Sequence, residues 1–525
     1  MCLLSSQSAH ASVWQIPDLT PSEASQIVGW SFADSFYSGG EGTSRLRIQS
    51  QEENEETKQL AVWDICENFE TKLCKDTKNK WTTASVILPY CIDDSSPWCI
   101  ESLNIQKPGI NASETQFLRQ VKGIKTPAYP DLGFPAGSTI SLWKSKNIFN
   151  GGGTDTYAVY VMVRFVKLPG KTPSIINMSA TVLPYVEVTE EKNSANQKYY
   201  ESQYLRDAQS DGSEKLQIIG GSKECAWTED RVCGLVEEFP KEVEVSLSMR
   251  VGNKLTGWFM GRLQNPVITT ASLNKDQNLL KIKANPVEVP KFYATVQKEN
   301  LTPDLASTWM TDGWGTKNPQ GVYVTKSNFA DVFRILDKWK SVAQNKAAGS
   351  IRTWAFDSML SGVGTKCFSN SNVILGFVTT NAMVYEGTAP NFKNGYLDFR
   401  VAGLHLNSDE SVFEGTYDLV LRKSVAQCIY GFVDAPITAT ISIIKNDTEE
   451  KISNFKVSES GAGKEKWVKI SASGFTFSSP MLRVKFYPKK TLIPTSIKSI
   501  ICLKGQSLKK VTGISPKCPS GFKKK

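Results

Sequence analysis

The sequence predicts a mainly β protein: several β-sandwich (Ig-like) domains in tandem, one short helical insert and a basic C-terminal tail. Three observations support this fold class. Short runs alternate apolar and polar residues, turn residues separate these runs, and a single segment repeats its apolar residues at helical spacing. The length of 525 residues and the hydrophobic share of 40% fit several globular domains, each large enough to bury a core.

The strands are predicted from their periodicity. Apolar and polar residues alternate, as they do in half-buried strands, in three segments: Glu242–Val251, Leu280–Ala284 and Pro436–Ile443. Tyr157–Val166 is apolar almost throughout and follows Gly151–Gly153. An unbroken apolar run of this length is typical of a central strand covered on both faces, here entered from a glycine turn.

The helical insert is predicted at residues 296–350. Ser327 is a plausible N-cap, and the pattern ends near Gly349. Between them, apolar residues recur at helical spacing: Phe329, Val332, Phe333, Leu336 and Trp339. Such a stripe favours a face packed on the core over a helix that binds a partner or a membrane.

Domain boundaries are predicted where polar and turn-forming residues accumulate. The stretch Thr189–Ser213 is predicted to be a linker or a long exposed loop, and Ala294–Asn328 is predicted to be a second connection between domains. The resulting division is a leader remnant (1–12), a β-domain (13–190), a second β-domain (191–295), the helix-containing insert (296–350), a β-sandwich domain (351–487) and a disulfide-clasped basic tail (488–525).

Eleven cysteines indicate an oxidising compartment. Cys2 lies in the first few residues and would be lost with any leader. Among the other ten, three pairs are each eight residues apart, and the remaining four are expected to form two further pairs, although spacing alone leaves the connectivity open. Zinc would favour Cys-x-x-Cys pairs, which the sequence lacks. Five disulfides and secretion are therefore expected: Cys66–Cys74, Cys91–Cys99, Cys225–Cys233, Cys367–Cys428 and Cys502–Cys518.

The first residues resemble the end of a signal peptide. Met1–Leu4 is a short apolar start, and Ala9–Ala11 has the form of an A-x-A cleavage site. We expect the true start of the leader to lie upstream, because a basic n-region is absent. No run of eighteen apolar residues exists, so no membrane span is predicted. The expected location is extracellular, with association to the cell surface.

The charge is concentrated at the C-terminus. The net charge is +9, yet residues 466–525 hold fourteen Lys and Arg and no Asp or Glu, leaving 47 basic against 52 acidic residues before them. A block of this kind is typical of an interaction tail, the alternative being a solubilising terminus. The predicted partners are anionic cell-envelope polymers or glycans. Few aromatics are interleaved, so no specific nucleic-acid partner is expected. The candidate polyanion-binding residues are Lys504, Lys509, Lys510, Lys517, Lys523, Lys524 and Lys525.

Catalytic and cofactor motifs are scarce. The sequence lacks a G-x-S-x-G elbow, a phosphate-binding loop, an H-E-x-x-H helix and a dinucleotide fingerprint, so no catalytic residue, metal or cofactor is assigned. Only two histidines are present, His10 and His405. His405 could serve a peptidase or esterase, and a pair of carboxylates could serve a glycosidase, but no pair stands out. Asp207–Glu214 is acidic enough for a calcium loop yet lacks the EF-hand spacing.

Tryptophans offer the second functional hypothesis. Thirteen are present, and exposed aromatic rings in turn-rich sequence can stack on sugars. Trp309 and Trp314, which flank a Thr-Asp-Gly turn, are the first candidates for ligand binding, and Trp258 is the next. The competing interpretation is that these large aromatic residues belong to cores.

Several blocks of sequence resemble a group of large, uncharacterised secreted proteins of actinobacteria. The C-terminal third carries an S-V-A-x-C-[IL]-Y-G-F block and a basic two-cysteine tail that are similar to theirs, and about half the chain takes part in the resemblance. The resemblance implies export and a surface location and assigns no activity. The blocks are Trp98–Ser102, Leu255–Leu263, Ser424–Phe432, Ala435–Thr440, Gly474–Ser478, Ile501–Gly505 and Pro516–Lys525.

Together these patterns predict a secreted, non-enzymatic surface or cell-wall-associated protein whose tail binds anionic envelope polymers. The alternative is an extracellular protein that binds or cleaves carbohydrate. A hydrolase that uses His405 is the third hypothesis.

Overall fold

The structure of the chain is a computed structural model. It describes residues 25–34, 43–50, 62–66, 81–93, 97–110, 115–189, 203–208, 214–219, 225–230, 232–310, 319, 321–359, 365–369, 373–431, 437–445, 448–452, 454–476, 481–488, 498–505, 507–513 and 516–525. The predicted leader remnant (1–12) lies outside these ranges.

The described residues are mainly β, which confirms the predicted class. The strands of the first half are β1 (Ile27–Ala33), β2 (Arg45–Ser50), β3 (Val62–Ile65), β4 (Trp81–Ile87), β5 (Cys99–Gln106), β6 (Gln116–Gln120), β7 (Ser141–Lys144), β8 (Thr156–Lys167), β9 (Ser174–Thr189), β10 (Gln203–Ala208), β11 (Glu214–Ile219), β12 (Cys225–Glu229), β13 (Val232–Val236), β14 (Glu244–Gly252), β15 (Gly257–Ser272) and β16 (Gln277–Lys291). The later strands are β17 (Tyr293–Gln297), β18 (Gly321–Lys326), β19 (Gly349–Met359), β20 (Ile374–Thr380), β21 (Val384–Tyr385), β22 (Asn391–Lys393), β23 (Tyr396–Ala402), β24 (Glu414–Arg422), β25 (Ile437–Lys445), β26 (Thr448–Lys451), β27 (Phe455–Ser460), β28 (Trp467–Thr476), β29 (Met481–Pro488), β30 (Lys498–Lys504), β31 (Ser507–Gly513) and β32 (Lys523–Lys524).

Helices are short in the described part of the chain: α1 (Pro303–Ala306), α2 (Val332–Trp339), α3 (Lys366–Ser369) and α4 (Lys423–Tyr430). None of them has the length and apolarity needed to cross a bilayer. α2 is the predicted amphipathic helix, and its apolar face is buried. Its N-cap is Asp331 rather than the predicted Ser327, because the Ser327 N–H continues the strand region by donating to the carbonyl of Ala33.

The first core lies between two layers of antiparallel strands. One layer contains β2, β4, β8, β9 and β19, and the other contains β5, β14 and β16. Alternate residues of β8 and β14 point into this core, among them Val161 and Leu247. β8 pairs with strands on both sides, as its unbroken apolar run predicts.

A second sandwich shares strands with the first. Its layers are β20, β24 and β28 on one side and β23, β25 and β29 on the other. The shared strand β15 serves both cores by alternation: Phe259 is buried in the first, whereas Trp258 and Met260 are buried in the second. Because successive side chains of a strand point to opposite faces, one strand can support two cores only when both of its faces are covered.

Backbone hydrogen bonds between strands cross the domain boundaries that the sequence predicts at residues 190 and 295. β9 pairs with β13 and also with β19, and β1 pairs with both β17 and β18. Part of the predicted linker forms a hairpin, since β10 and β11 pair from Gln203 and Ile219 to Ala208 and Glu214. Strands on the two sides of residue 190, and strands on the two sides of residue 295, therefore belong to the same sheets.

A third core is built around α2. The helix packs on the small sheet β17-β1-β18, and Trp30, Trp309 and Trp339 are all fully buried in it. The hydroxyl of Thr308 accepts hydrogen bonds from the indole N–H groups of Trp30 and Trp339, at 3.0 and 3.2 Å. The predicted helical insert is thus a helix packed on strands drawn from both ends of the body.

Disulfides join several of these elements. The structure contains Cys91–Cys99, Cys225–Cys233, Cys367–Cys428 and Cys502–Cys518, which are four of the five expected pairs. Cys66 is also disulfide-bonded, and its predicted partner Cys74 lies outside the described residues.

Candidate functional site

The candidate site lies in the last strands of the chain. Residues 498–505, 507–513 and 516–525 contain a three-stranded antiparallel sheet in the order β31-β30-β32, and we call these residues the terminal module. Gly505 adopts a φ of 59° in the tight connection between β30 and β31. Glycine takes this left-handed conformation without a steric penalty. The predicted tail is thus a folded unit.

The strand register sorts the module's side chains onto two faces. Cys502 lies opposite Lys509 of β31 and Lys524 of β32. Leu503 lies opposite Leu508 and Lys523. Residues directly opposite in a ladder share a face, and successive residues of a strand alternate between faces. We call the face of Cys502 the clasped face and the face of Leu503 the open face.

The clasped face is covered by the chain that follows β31. The disulfide from Cys502 reaches Cys518, with the two Cα atoms 5.6 Å apart, and Cys502 is completely buried. The ammonium of Lys504 lies 6.0 Å from the centre of the Phe522 ring. A disulfide, a few half-buried apolar side chains and this ring contact hold residues 516–522 against the sheet.

The predicted lysines are all exposed: Lys504, Lys509, Lys510, Lys517, Lys523, Lys524 and Lys525. Within the described ranges none of them takes part in an ion pair, and residues 466–525 contain no Asp or Glu. The module therefore presents a concentrated positive charge to solvent. Charges that are neither neutralised by neighbours nor buried can attract anions from solution.

The predicted sugar-binding tryptophans lie elsewhere. Trp309 is 0% exposed and stacks on Trp30 with 4.9 Å between the ring centroids. Trp258 is also 0% exposed and packs edge-on against Phe368. The expectation that these two rings are exposed is corrected, because both are core residues with no face left for a ligand. Trp314 lies outside the described residues and stays a prediction.

The exposed tryptophan that the structure does describe is Trp81. It is 42% exposed at the start of β4, at one end of the first sandwich. Side chains alternate between the two faces of β4, and Thr82 is buried. The preceding residue, Trp81, therefore faces outward, and this alternation could have indicated its position.

His405 lies in an irregular segment after β23 and is half-buried. Its backbone N–H donates to the side chain of Asn345, and its carbonyl accepts from Phe413. A cysteine–histidine dyad needs a free thiol, and every described cysteine is disulfide-bonded. No cluster of metal-ligating side chains occurs among the residues that the structure describes. The acidic stretch Asp207–Glu214 lies partly in β10 and β11, and its side chains are outside the description.

A carboxylate pair that the sequence did not single out lies near the end of β16. Burial raises the pKa of Glu238, and the neighbouring carboxylate of Glu288 raises it further, while Arg352 partly offsets both effects. The Arg352 guanidinium lies 3.4 Å from Glu238, and Arg352 is opposite Glu288 in the β16–β19 ladder. A carboxyl with a raised pKa beside a second carboxylate is an arrangement that acid–base hydrolysis can use.

Two further carboxylates, Asp357 and Asp418, have raised pKa values. Burial raises the pKa of Asp357 to about 6, although a hydrogen bond with Asn177 opposes this shift. Asp418 accepts hydrogen bonds from Thr379 and from the backbone N–H of Asn265, and burial raises its pKa as well. The hydrogen bond from Asn265 holds the irregular part of the β15–β16 pairing in place, so Asp418 has a structural role.

A small cleft of about 110 Å³ lies between the two sandwiches. Arg422 and Glu465 line it and form an ion pair at 2.8 Å, and Arg422 also donates to Thr270 at 3.2 Å. The planar guanidinium lies 4.8 Å from the centre of the Trp467 ring. The polar groups of this cleft satisfy one another, so it is a structural junction.

Comparison of the chain with models of known families, with curated proteins and with solved structures finds no match.

Proposed function

We propose that the protein is a secreted, non-enzymatic surface or cell-wall-associated protein whose terminal module binds anionic envelope polymers. The observation that carries the proposal is the set of seven exposed, unpaired lysines on a disulfide-clasped sheet. Disulfides and the absence of an apolar span in the described helices are compatible with an extracellular location.

Polymer binding follows from how the charges are displayed. Five of the seven lysines lie on three adjacent strands, whose spacing is about 4.8 Å: Lys504, Lys509, Lys510, Lys523 and Lys524. Lys517 and Lys525 lie in the chain next to these strands. A linear polyanion meeting this surface can release counterions from several charged groups at once, which makes the affinity depend steeply on salt. Lysine suits such a partner because a compact ammonium binds as a point charge and requires no single orientation of the anion.

Retention on cell-wall preparations tests the proposal. We expect the wild-type chain to be retained at about 50 mM salt and to lose at least tenfold in affinity by about 200 mM. A chain ending at Pro488 keeps β29 complete and should not be retained. Replacing the seven lysines with glutamine in the full chain should have the same effect.

A charge-matched control separates local display from net charge. Seven exposed lysines of the body are scattered over its surface, and their replacement by glutamine changes the net charge equally: Lys125, Lys171, Lys241, Lys254, Lys275, Lys281 and Lys393. This variant should be retained like the wild type. Salt-independent retention, or equal losses in both sevenfold variants, would contradict the proposed role of the module.

The second candidate function is carbohydrate binding or cleavage. It is supported by the Glu238–Glu288 pair, in which one carboxyl has a raised pKa, and by the exposed ring of Trp81. A glycan array with wild type, Trp81→Ala and Trp314→Ala tests binding, and hydrolysis assays with Glu238→Gln test cleavage. Glycan signal or turnover that these substitutions abolish would favour this candidate over polymer tethering.

A further inference from the structure

The open face of the terminal module exposes aliphatic side chains beside its lysines. Leu508 is 58% exposed, Ile501 is 47% exposed and Leu503 is 37% exposed, with the whole described chain present. The other apolar side chains of the module are buried or half-buried on the clasped face. Three aliphatic side chains exposed together on the opposite face indicate an interaction surface.

The aliphatic residues and the lysines form two rows across the sheet. The first row runs Leu508, Leu503, Lys523 from β31 to β32. The second begins with Lys510 opposite Ile501, and the N–H of Lys525 donates to the carbonyl of Ile501 at 2.8 Å, which continues the row. The open face is therefore an aliphatic centre bordered by three exposed ammonium groups.

We propose that the open face docks on an anionic phospholipid bilayer, with Ile501, Leu503 and Leu508 entering the interface and Lys510, Lys523 and Lys525 binding lipid headgroups. This inference rests on the proposed envelope-tethering role and adds a lipid partner to it. Apolar burial and attraction to anionic lipid act together in interfacial binding, and each alone is weak. A polymer in water could satisfy the lysines but would leave the three aliphatic side chains hydrated.

Charge complementarity favours a bilayer over the other occupants of this face. A second copy of the module would bring three more lysines against these three, because the surface contains no acidic residue to pair with them. Like charges packed face to face oppose association. An anionic bilayer supplies both an apolar interior and negative headgroups at the same surface.

Vesicle binding of the full chain tests the inference. We expect binding to vesicles of phosphatidylglycerol and phosphatidylcholine and no binding to vesicles of phosphatidylcholine alone. The double variant Leu503→Ser, Leu508→Ser should bind the anionic vesicles at least about tenfold more weakly. A Leu508→Trp variant reports the depth of insertion, since its fluorescence should shift to the blue and be quenched by brominated lipid.

Matched controls use exposed aliphatic residues of the body. Leu273 is 46% exposed and Val412 is 57% exposed, so Leu273→Ser, Val412→Ser removes comparable surface elsewhere and should leave vesicle binding unchanged. Alkylation without reductant checks that the double variant of the module still folds. In a folded module, Cys502 and Cys518 remain disulfide-bonded and are not alkylated.

Each outcome decides the inference. Equal vesicle binding by wild type and the module's double variant would overturn it, as would equal binding to neutral vesicles. Leucine-dependent dimers that do not bind vesicles would assign the face to a second copy and overturn it too. Salt-sensitive retention on cell walls without vesicle binding would remove the lipid partner while leaving the proposed function in place, whereas loss of both would remove both.

Discussion

The body, residues 25–488, and the terminal module manage charge in opposite ways. In the body, Arg262 is 0% exposed and binds both carboxylate oxygens of Asp34 at 2.9 Å, and Arg483 binds Asp398 in the same manner at 2.8 Å. In the module, the lysines lie in solvent without ion-pair partners in the described chain. These two arginines stabilise the fold of the body, whereas the lysines of the module remain exposed to solvent.

The two regions are also stabilised by different means. The body has three extensive apolar cores, in which strands such as β15 are covered on both faces. The module buries little apolar surface, and a small unit of this kind usually needs a covalent link. Its link is the disulfide between Cys502 and Cys518. Substitutions in one region should therefore leave the other intact.

The largest expected effect is in the body. Arg262→Ala removes the arginine that pairs with Asp34. It also removes the N–H donors that bind the carbonyls of Thr380 and Ala382. Removal of one member of a buried ion pair costs about 3–5 kcal/mol. Denaturant unfolding should show this loss, and Arg119→Ala, at an ion pair that is 45% exposed on the arginine side, should cost less than about 1 kcal/mol. Equal losses would contradict the distinction between buried and exposed pairs.

The next effect should be confined to the module. Cys502→Ser opens a disulfide whose cysteines are sixteen residues apart, and the loss is about 3 kcal/mol. We expect amide hydrogens of β30 and β31 to exchange rapidly while those of β8 and β15 keep their protection. Hydrogen exchange read by mass spectrometry measures both regions in one sample. Loss of protection in β8 would show that the two regions are coupled.

A smaller effect depends on pH and arises in the body. Burial raises the pKa of Asp357 to about 6, above the ordinary value of 3.8, so the folded protein holds this proton more tightly than the unfolded chain does. The stabilising contribution is complete below about pH 4 and is lost as the pH rises through 6. Asp357→Asn stays neutral and should be more stable than wild type at pH 7, by about 2 kcal/mol, with little gain at pH 4. Equal gains at both values would refute this assignment.

The smallest effect again concerns the module. Gly505 has a φ of 59°, where a side chain costs about 1 kcal/mol. Gly505→Ala should weaken the protection of β30 and β31 by that amount, and Gly505→Asn should cost less because asparagine tolerates this conformation. An alanine variant as stable as the wild type would show that the turn is not under this constraint.

The sequence predicted features that depend on local pattern. An almost unbroken apolar run located β8, the period of two located β14, the helical spacing located α2, and equal spacing of cysteines anticipated Cys91–Cys99 and Cys225–Cys233. These features follow from which side chains lie close along the chain, so the sequence alone contains the required information.

Features that depend on distant contacts were missed. The exposure of Trp258 and Trp309 is set by elements that pack on them, which local turn residues do not reveal. The two-sided burial of β15 and the sheet within the terminal module had readable signals: an apolar run over Trp258–Met260 and a second apolar run, Ile500–Leu503, shortly before Gly505. The pairing of Glu238 with Glu288 depends on tertiary structure and had none.

The measurement that tests the central claim most directly is the salt dependence of binding to purified poly(glycerol phosphate) teichoic acid. The full chain is compared with the variant in which the seven module lysines are glutamine and with the variant in which seven body lysines are glutamine. We predict a steep linear fall of log affinity with log salt for wild type and the body variant, and a flat, weak profile for the module variant. Equal slopes for the two sevenfold variants would contradict the claim that the terminal module is the tether.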